Sequence, residues 1–285
     1  LAPGFPAKAL QFAPDGGMQH FPARPHTLVA LWLYAASLSR CARCEAAAAC
    51  NGRLARCGSR WRFGSVAPRP WEEAEAMAAN TSRLMTPAEL NSLVYGSGWP
   101  YGSFSGPIPG HYTGNTPAMP HLGVPALKMQ DAGQGYRPLI PWEVGTVTCW
   151  PSLLHLAASW DEEIVMAVAA AIAREYLGKG SNVVLGPSVN VHRIARGGRN
   201  FEYMSGEDPY LGTRLAKAYV YGVQDEGAMA VAKHWAFNEQ ETSRMFQDSI
   251  VDARTTWELY YPPFEATVEA GVGAFMCGYN KVNGT

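Results

Sequence analysis

Charge is scarce in this chain of 285 residues: Asp, Glu, Lys and Arg make up 16% of it, and 23 basic residues stand against 24 acidic ones for a net charge of −1. Without a positive excess there is nothing to neutralise a phosphate backbone or an anionic lipid surface, so neither nucleic acid nor a membrane is expected as a partner. Long apolar runs are lacking as well. The stretch TLVALWLYAASL, residues 27–38, is too short to span a bilayer. With Arg24 before it and small residues after it, it resembles a secretory signal, although Arg40 and Arg43 directly behind it argue against a clean cleavage site. Paired cysteine motifs are equally sparse. Cys41, Cys44, Cys50 and Cys57 supply one C-x-x-C pair and two odd spacings, short of the double knuckle or spaced histidines of a structural zinc site. Residues 1–67 therefore read as an N-terminal extension with a signal-like segment and no site.

What is present is apolar bulk. At 47% hydrophobic residues the chain can bury a large core, as one big domain or two smaller ones. Asn80 and Asn283 each begin an N-x-S/T acceptor, which together with the signal-like run points to a secreted or extracellular protein. A chain that opens on Leu1 and stops at Thr285 is expected to be a piece of a longer one.

Order becomes legible from residue 68 onward. SWDEEIVMAVAAAIAREYLG, residues 159–178, predicts an amphipathic helix: Ser159 and Glu162 form a capping box, apolar residues fall at 165, 168, 169, 172 and 176, and Gly178 suits a left-handed exit. NVVLGPSVNV follows, a β-branched run closed by Gly186 and Pro187, as expected of a strand buried on both faces. The alternation then repeats. A helix from about residue 209 leads to the strand AMAVAKHW, and the helix PPFEATVEAG leads to the strand GVGAFMCGY. Strands and helices at this interval indicate βαβ units, a parallel sheet and, with this many repeats, an α/β barrel.

In such a barrel the carboxyl ends of the strands share one rim, where ligands bind. The strand at 183–185 delivers Asn190, His192 and the arginines 193, 196 and 199; the strand at 229–232 delivers Lys233 and His234; the strand at 274–277 delivers Tyr279 and Asn280. Loops carry polar residues in any case, so the rim alone leaves a structural reading open beside a binding one.

Four longer stretches are more specific: GNTPAMPHLGVPALKMQDAGQGYR (114–137), GPSVNVHRIARGGRNFEYMSGEDPYLG (186–212), VAKHWAFNEQETSR (231–244) and FMCGYNKVNG (275–284). In content, order and spacing they resemble glycoside hydrolase family 3, over residues 68–285. The resemblance implies the N-terminal (β/α)8 barrel domain, incomplete at its C-terminal side. It also implies a retaining exo-acting β-glycosidase that removes terminal β-D-glucosyl or xylosyl residues, with a β-linked glycoside as substrate and no cofactor or metal. Position by position it implies that Asp131, Arg199, Lys233 and His234 bind the sugar. Glu202 supports Arg199, Met276 forms an apolar wall, and Tyr279 lies close to the reacting carbon. Arg193 and Arg196 are left to pair with surface acids.

The chain departs from the family twice. Where many members have R-D-P-R-W-G-R, it has Arg193-Ile194-Ala195-Arg196-Gly197-Gly198-Arg199, which alters the local loop. The family's nucleophile, an aspartate of an S-D-W type motif, is expected beyond Thr285, as is the α/β sandwich domain with the acid/base carboxyl. Asp208, Glu239, Glu241, Asp248 and Asp252 match neither role, so no catalytic residue is assigned within the chain, which by itself is expected to be inactive. The alternative is a sugar-binding or vestigial member without catalysis.

Overall fold

The computed structural model describes residues 70–98 and 111–285. The signal-like run, the four clustered cysteines and the boundary expected at residue 67 lie outside them. Two helices open the described part, α1 (Trp71–Leu84) and α2 (Pro87–Tyr95). Thr86 starts α2 with a reciprocal box: its hydroxyl accepts from the Glu89 amide and the Glu89 carboxylate accepts from the Thr86 amide at 2.8 Å.

After β1 (Gly114–Asn115) and β2 (Lys128–Gln130) come α3 (Leu153–Ala157), α4 (Glu162–Gly178), β3 (Val183–Val184), α5 (Pro209–Asp225) and β4 (Met229–Trp235). β5 (Asp248–Ser249), α6 (Pro262–Glu269), β6 (Ala274–Cys277) and β7 (Lys281–Val282) complete the order. The main sheet runs β1-β2-β3-β4-β6; β1 is antiparallel to β2, and every later neighbour is parallel. β5 and β7 make a separate parallel pair. This is an incomplete α/β barrel, as the alternation in the sequence predicts.

The two faces of the sheet have different tasks, and the period of two along a strand shows which residue has which. On one face Val184, Ala230 and Ala232 join Val165, Ala169, Ile172, Ala173 and Tyr176 of α4 and Leu215, Ala216, Tyr219 and Val223 of α5 in one buried cluster. On the other, Val183, Leu185, Met229 and Val231 pack with Met129, Ala274 and Met276 to fill the barrel interior. Each of the largest side chains fully buried here contributes about 1.5–3 kcal/mol relative to exposure. The helices sit close to one another: a Cβ at Gly222 of α5 would lie 2.4 Å from the Met166 carbonyl oxygen of α4, so only glycine fits.

Two local expectations are corrected. The cap of α4 is Asp161 rather than Ser159: its carboxylate accepts from the amides of Glu163 at 2.8 Å and Ile164 at 3.1 Å. Ser159 belongs to the end of α3, where its hydroxyl donates to the Leu156 carbonyl, and Trp160 at φ 56° breaks the path between them. A carboxylate at the cap also meets the positive end of the helix. The left-handed exit falls on Gly180, φ +81°, and Gly178 remains helical. Of the two acceptor asparagines, Asn80 is exposed on α1, whereas Asn283 bonds both the amide and the carbonyl of Val251 through its side chain. Among the described helices none is long and apolar enough to cross a membrane.

Candidate functional site

Asp131 is the first residue after β2, and the turn that carries it is clamped from below. Gln130, fully buried, accepts from the Thr113 amide at 3.0 Å and donates to the Arg137 carbonyl at 2.8 Å, closing the base of the 131–137 turn. Tyr176 of α4 donates to the Ala132 carbonyl at 2.7 Å, and Tyr219 of α5 donates to that of Gly133. Burial pushes both phenol groups up, so they remain hydroxyl donors. The Asp131 carboxylate is left 23% exposed at the rim, with Arg137 at 3.7 Å.

The loop behind β3 supplies Arg199 and Glu202. They are joined side chain to side chain, the guanidinium donating to the carboxylate, and Arg199 also reaches Glu241 at 3.5 Å. Two glycines make room for this. Gly198 has φ +96°, and a Cβ there would lie 2.9 Å from that of Glu241; the Glu241 amide donates to the Gly197 carbonyl at 2.8 Å. Gly197, where many family members have Trp, and Gly198, which they share, thus let the segment after β4 lie against the arginine.

Lys233 continues the inward row Met229, Val231 of β4, which explains why a lysine ends an apolar strand: the period of two sends it into the barrel. Its amide donates to the Pro187 carbonyl at 2.9 Å and its carbonyl accepts from Val189 at 3.0 Å, so the main chain is fixed on both sides. Its ammonium lies 3.6 Å from Asp131 and 3.9 Å from Glu202, with the side chain 3% exposed. Burial draws this ammonium below its usual range; attraction by Asp131 and Glu202 opposes that, and Arg199 adds to it. Pairing with β6 shifts register between Lys233 and Trp235. His234 falls in this irregular step, 3% exposed, with its Nδ1 in contact with the Tyr203 hydroxyl. Burial, then the nearby Lys233 and Arg199 charges, hold the imidazole far below the usual histidine range, and it is neutral.

β6 contributes differently from expectation. Met276 stands opposite Lys233 in the register and packs inward on Met229 and Val231. Tyr279 is 55% exposed and stacks under the Arg244 guanidinium, 4.8 Å from its ring centre. It is linked to the other residues through Arg244 and Glu241, which are 3.3 Å apart.

Asp131, Lys233, Glu202 and Arg199 therefore meet directly, from three strand ends, and His234 joins through Tyr203, the neighbour of Glu202. Arg193 and Arg196 are exposed and line a separate cavity of about 730 Å³ with Phe237, Glu239, Asp248 and Tyr260. None of Asp131, Arg199, Lys233 and His234 lines that cavity. The site is identified by the convergence of strand ends, which a parallel barrel dictates, rather than by cavity size. Sequence reasoning left Tyr203, Arg137 and Arg244 without a role; all three lie inside the quoted motifs, and adjacency to Glu202, Asp131 and Glu241 was the available signal. Among the described residues no three His, Cys, Asp or Glu side chains are grouped to hold a metal ion, and Cys149 and Cys277 are free and exposed.

Residues 114–285 match the model of the glycosyl hydrolase family 3 N terminal domain. The chain is 42% identical over 178 residues to thermostable beta-glucosidase B of Acetivibrio thermocellus, covering 60% of this chain and 23% of that protein. It is 38% identical over 226 residues to probable beta-glucosidase M of Neosartorya fischeri, covering 75% and 27%. Among solved structures, beta-glucosidase 3B from Thermotoga neapolitana in complex with glucose superposes with a TM-score of 0.67 at 35% identity, over 73% of this chain and 30% of that one. DesR, a beta-glucosidase from Streptomyces venezuelae in complex with D-glucose, gives 0.66 at 34%, over 73% and 25%. The chain spans about a quarter of the length of the curated relatives it matches.

Proposed function

Because the chain belongs to glycosyl hydrolase family 3, we propose that it carries the sugar-binding rim of a retaining exo-β-glycosidase acting on terminal β-D-glucosyl or xylosyl residues. One observation carries this reading: Lys233 lies within 4 Å of both Asp131 and Glu202 and yet makes an ordinary hydrogen-bond distance to neither. The ammonium keeps donors to spend on a third partner. A pyranose hydroxyl suits it, because it can donate to the Asp131 carboxylate while accepting from Lys233. Hydrogen bonds to charged groups of this kind contribute about 1.5–3 kcal/mol each.

Arg199, held by Glu202 on one side and Glu241 on the other, presents a fixed fork to a neighbouring hydroxyl. Tyr203 holds Nδ1 of the neutral His234, and in the tautomer with the proton on Nε2 the phenol donates to Nδ1 and Nε2–H is a further donor for the sugar. Met276 borders the site from the apolar interior, and Tyr279 forms an outer aromatic surface. Retaining hydrolysis needs two carboxyl groups about 5–5.5 Å apart. Neither role is assigned to a residue of this chain. The signal-like run and the exposed acceptor at Asn80 support a secreted location.

Isothermal titration of the protein with D-glucose and D-xylose, with release of nitrophenol from aryl β-glucosides as second readout, tests the proposal. Saturable binding that Asp131→Ala abolishes supports it; wild-type affinity in Asp131→Ala and Lys233→Ala would sink it.

A further inference from the structure

Behind the sugar-facing residues lies a second group that the proposed function does not use. Asn190, 1% exposed, clasps the backbone of His234 at both ends: its Oδ1 accepts from the His234 amide at 2.8 Å and its Nδ2 donates to the His234 carbonyl at 3.1 Å. The same Nδ2 donates to Oε1 of Glu239 at 3.0 Å. The other carboxyl oxygen of Glu239 lies 3.3 Å from Nε2 of His192. That imidazole, 5% exposed, stacks on the Tyr203 ring with centres 4.2 Å apart. Tyr203 in turn bonds the His234 ring.

Two paths therefore run from one carboxyl group to one histidine. Through Asn190 it fixes the main chain of His234; through His192 and Tyr203 it fixes the ring. We propose that Glu239 is a positioning residue for His234, holding backbone and imidazole in register with the sugar site without touching the sugar itself. The inference rests on the glycosidase reading for the identity of the ligand, and on the contacts alone for the clasp.

The chemistry of the pair explains why an acidic residue can do this with only a quarter of its side chain exposed. Burial pushes the Glu239 carboxyl up to about 8, against the opposing bond from Asn190 and the charge of Arg193. Burial likewise draws His192 down to about 4. At neutral pH both are uncharged, so the 3.3 Å approach of Oε2 to Nε2 is a neutral contact and not an ion pair. Glutamine reproduces that pattern: its oxygen accepts from Asn190 and its uncharged NH2 takes the place of Oε2 beside His192. A group that served instead as a proton-donating acid in the reaction could not be replaced in this way.

The experiment compares Glu239→Gln and Glu239→Ala in the full-length protein that carries this chain, on p-nitrophenyl β-D-glucoside. Loss of the clasp should raise KM about fivefold to tenfold in the alanine variant with kcat changed far less, and the glutamine variant should stay within about twofold of wild type. A glutamine variant as damaged as the alanine one, or one that loses kcat, overturns the proposal, as does a folded alanine variant with wild-type KM. Should the alanine variant fail to fold, Glu239→Asp, which withdraws the carboxyl by one methylene, takes its place. A wild type without turnover would fault the glycosidase reading and not this one. The imidazole 15N spectrum of His234 then decides: one fixed tautomer in wild type and Glu239→Gln, with exchange averaging in Glu239→Ala, supports the clasp, and identical spectra in all three refute it.

Discussion

Two polar clusters meet at the end of β4, each built around a glutamate, with opposite electrical outcomes. On the inner side Lys233 faces Asp131 and Glu202, and opposite charges compensate one another in a nearly dry setting. On the loop side Glu239 faces His192 and Asn190, with no full countercharge in contact, and burial wins by keeping the proton on the acid and off the base. The difference teaches that burial alone does not decide protonation; the number of opposing charges within about 4 Å does. It also separates tasks. The charged cluster has unspent donors for a ligand, whereas the neutral one spends its bonds on internal geometry.

The comparison can be broken most severely at Lys233. Lys233→Ala removes the cation that Asp131 and Glu202 share, leaving them Arg137 and Arg199, and should cost up to about 3 kcal/mol of stability in urea unfolding, together with most of the glucose affinity. Lys233→Met, which keeps the stem, should cost less stability while losing the same affinity, and equal affinity in wild type and Lys233→Met would remove the lysine from the site.

A smaller effect is expected where the loop segment touches the arginine. Gly198→Ala forces a side chain onto φ +96° and toward the Glu241 Cβ at 2.9 Å, so a loss of about 1–3 kcal/mol in thermal unfolding is expected.

The neutral cluster is sharpened by pH. A carboxyl raised to about 8 from 4.5 lends stability that is complete below pH 4.5 and lost as pH rises through 8; His192, lowered to about 4 from 6.5, lends stability that is complete above 6.5 and lost as pH falls through 4. Between pH 6.5 and 8 only the first of these two changes. The urea midpoint of wild type should therefore decline across that window more steeply than that of Glu239→Gln, and parallel curves would contradict a protonated Glu239.

The smallest effect belongs to an exposed pair. Arg254 and Glu258, 83% and 60% exposed on one helical turn, should be worth under about 0.5 kcal/mol, so Arg254→Ala should leave the melting temperature nearly unmoved. Lys217→Ala, on α5 with Glu269 as partner, should likewise leave glucose affinity intact where Lys233→Ala does not.

Much of the scaffold was legible because it is periodic. α5, β4, α6 and β6 fall where the alternation of apolar residues puts them. β2 has three residues, too few for a period to declare itself, and it went unseen beneath the motif around Asp131. The cap of α4 slipped from Ser159 to Asp161 because both types cap well, and only the turn at Trp160 decides between them. At the site, the motifs identified the residues but not their partners. Asn190 and Glu239 are 49 positions apart, and Tyr203 and His234 are 31 apart, distances that no local pattern spans. Tyr279 stood at the right strand end, yet its place under Arg244 depends on how far a loop travels after β4.

The seat at Gly222 has a bearing on how such a molecule can change over generations. Where two helices touch backbone to backbone, the arc between neighbouring strands is set by hard atomic radii, and the connecting segments at the rim are relieved of any duty to hold the strands apart. Insertions and exchanges there can retune which ligand is accepted while the spacing of the wall stays constant, so variation is channelled toward selectivity and away from collapse.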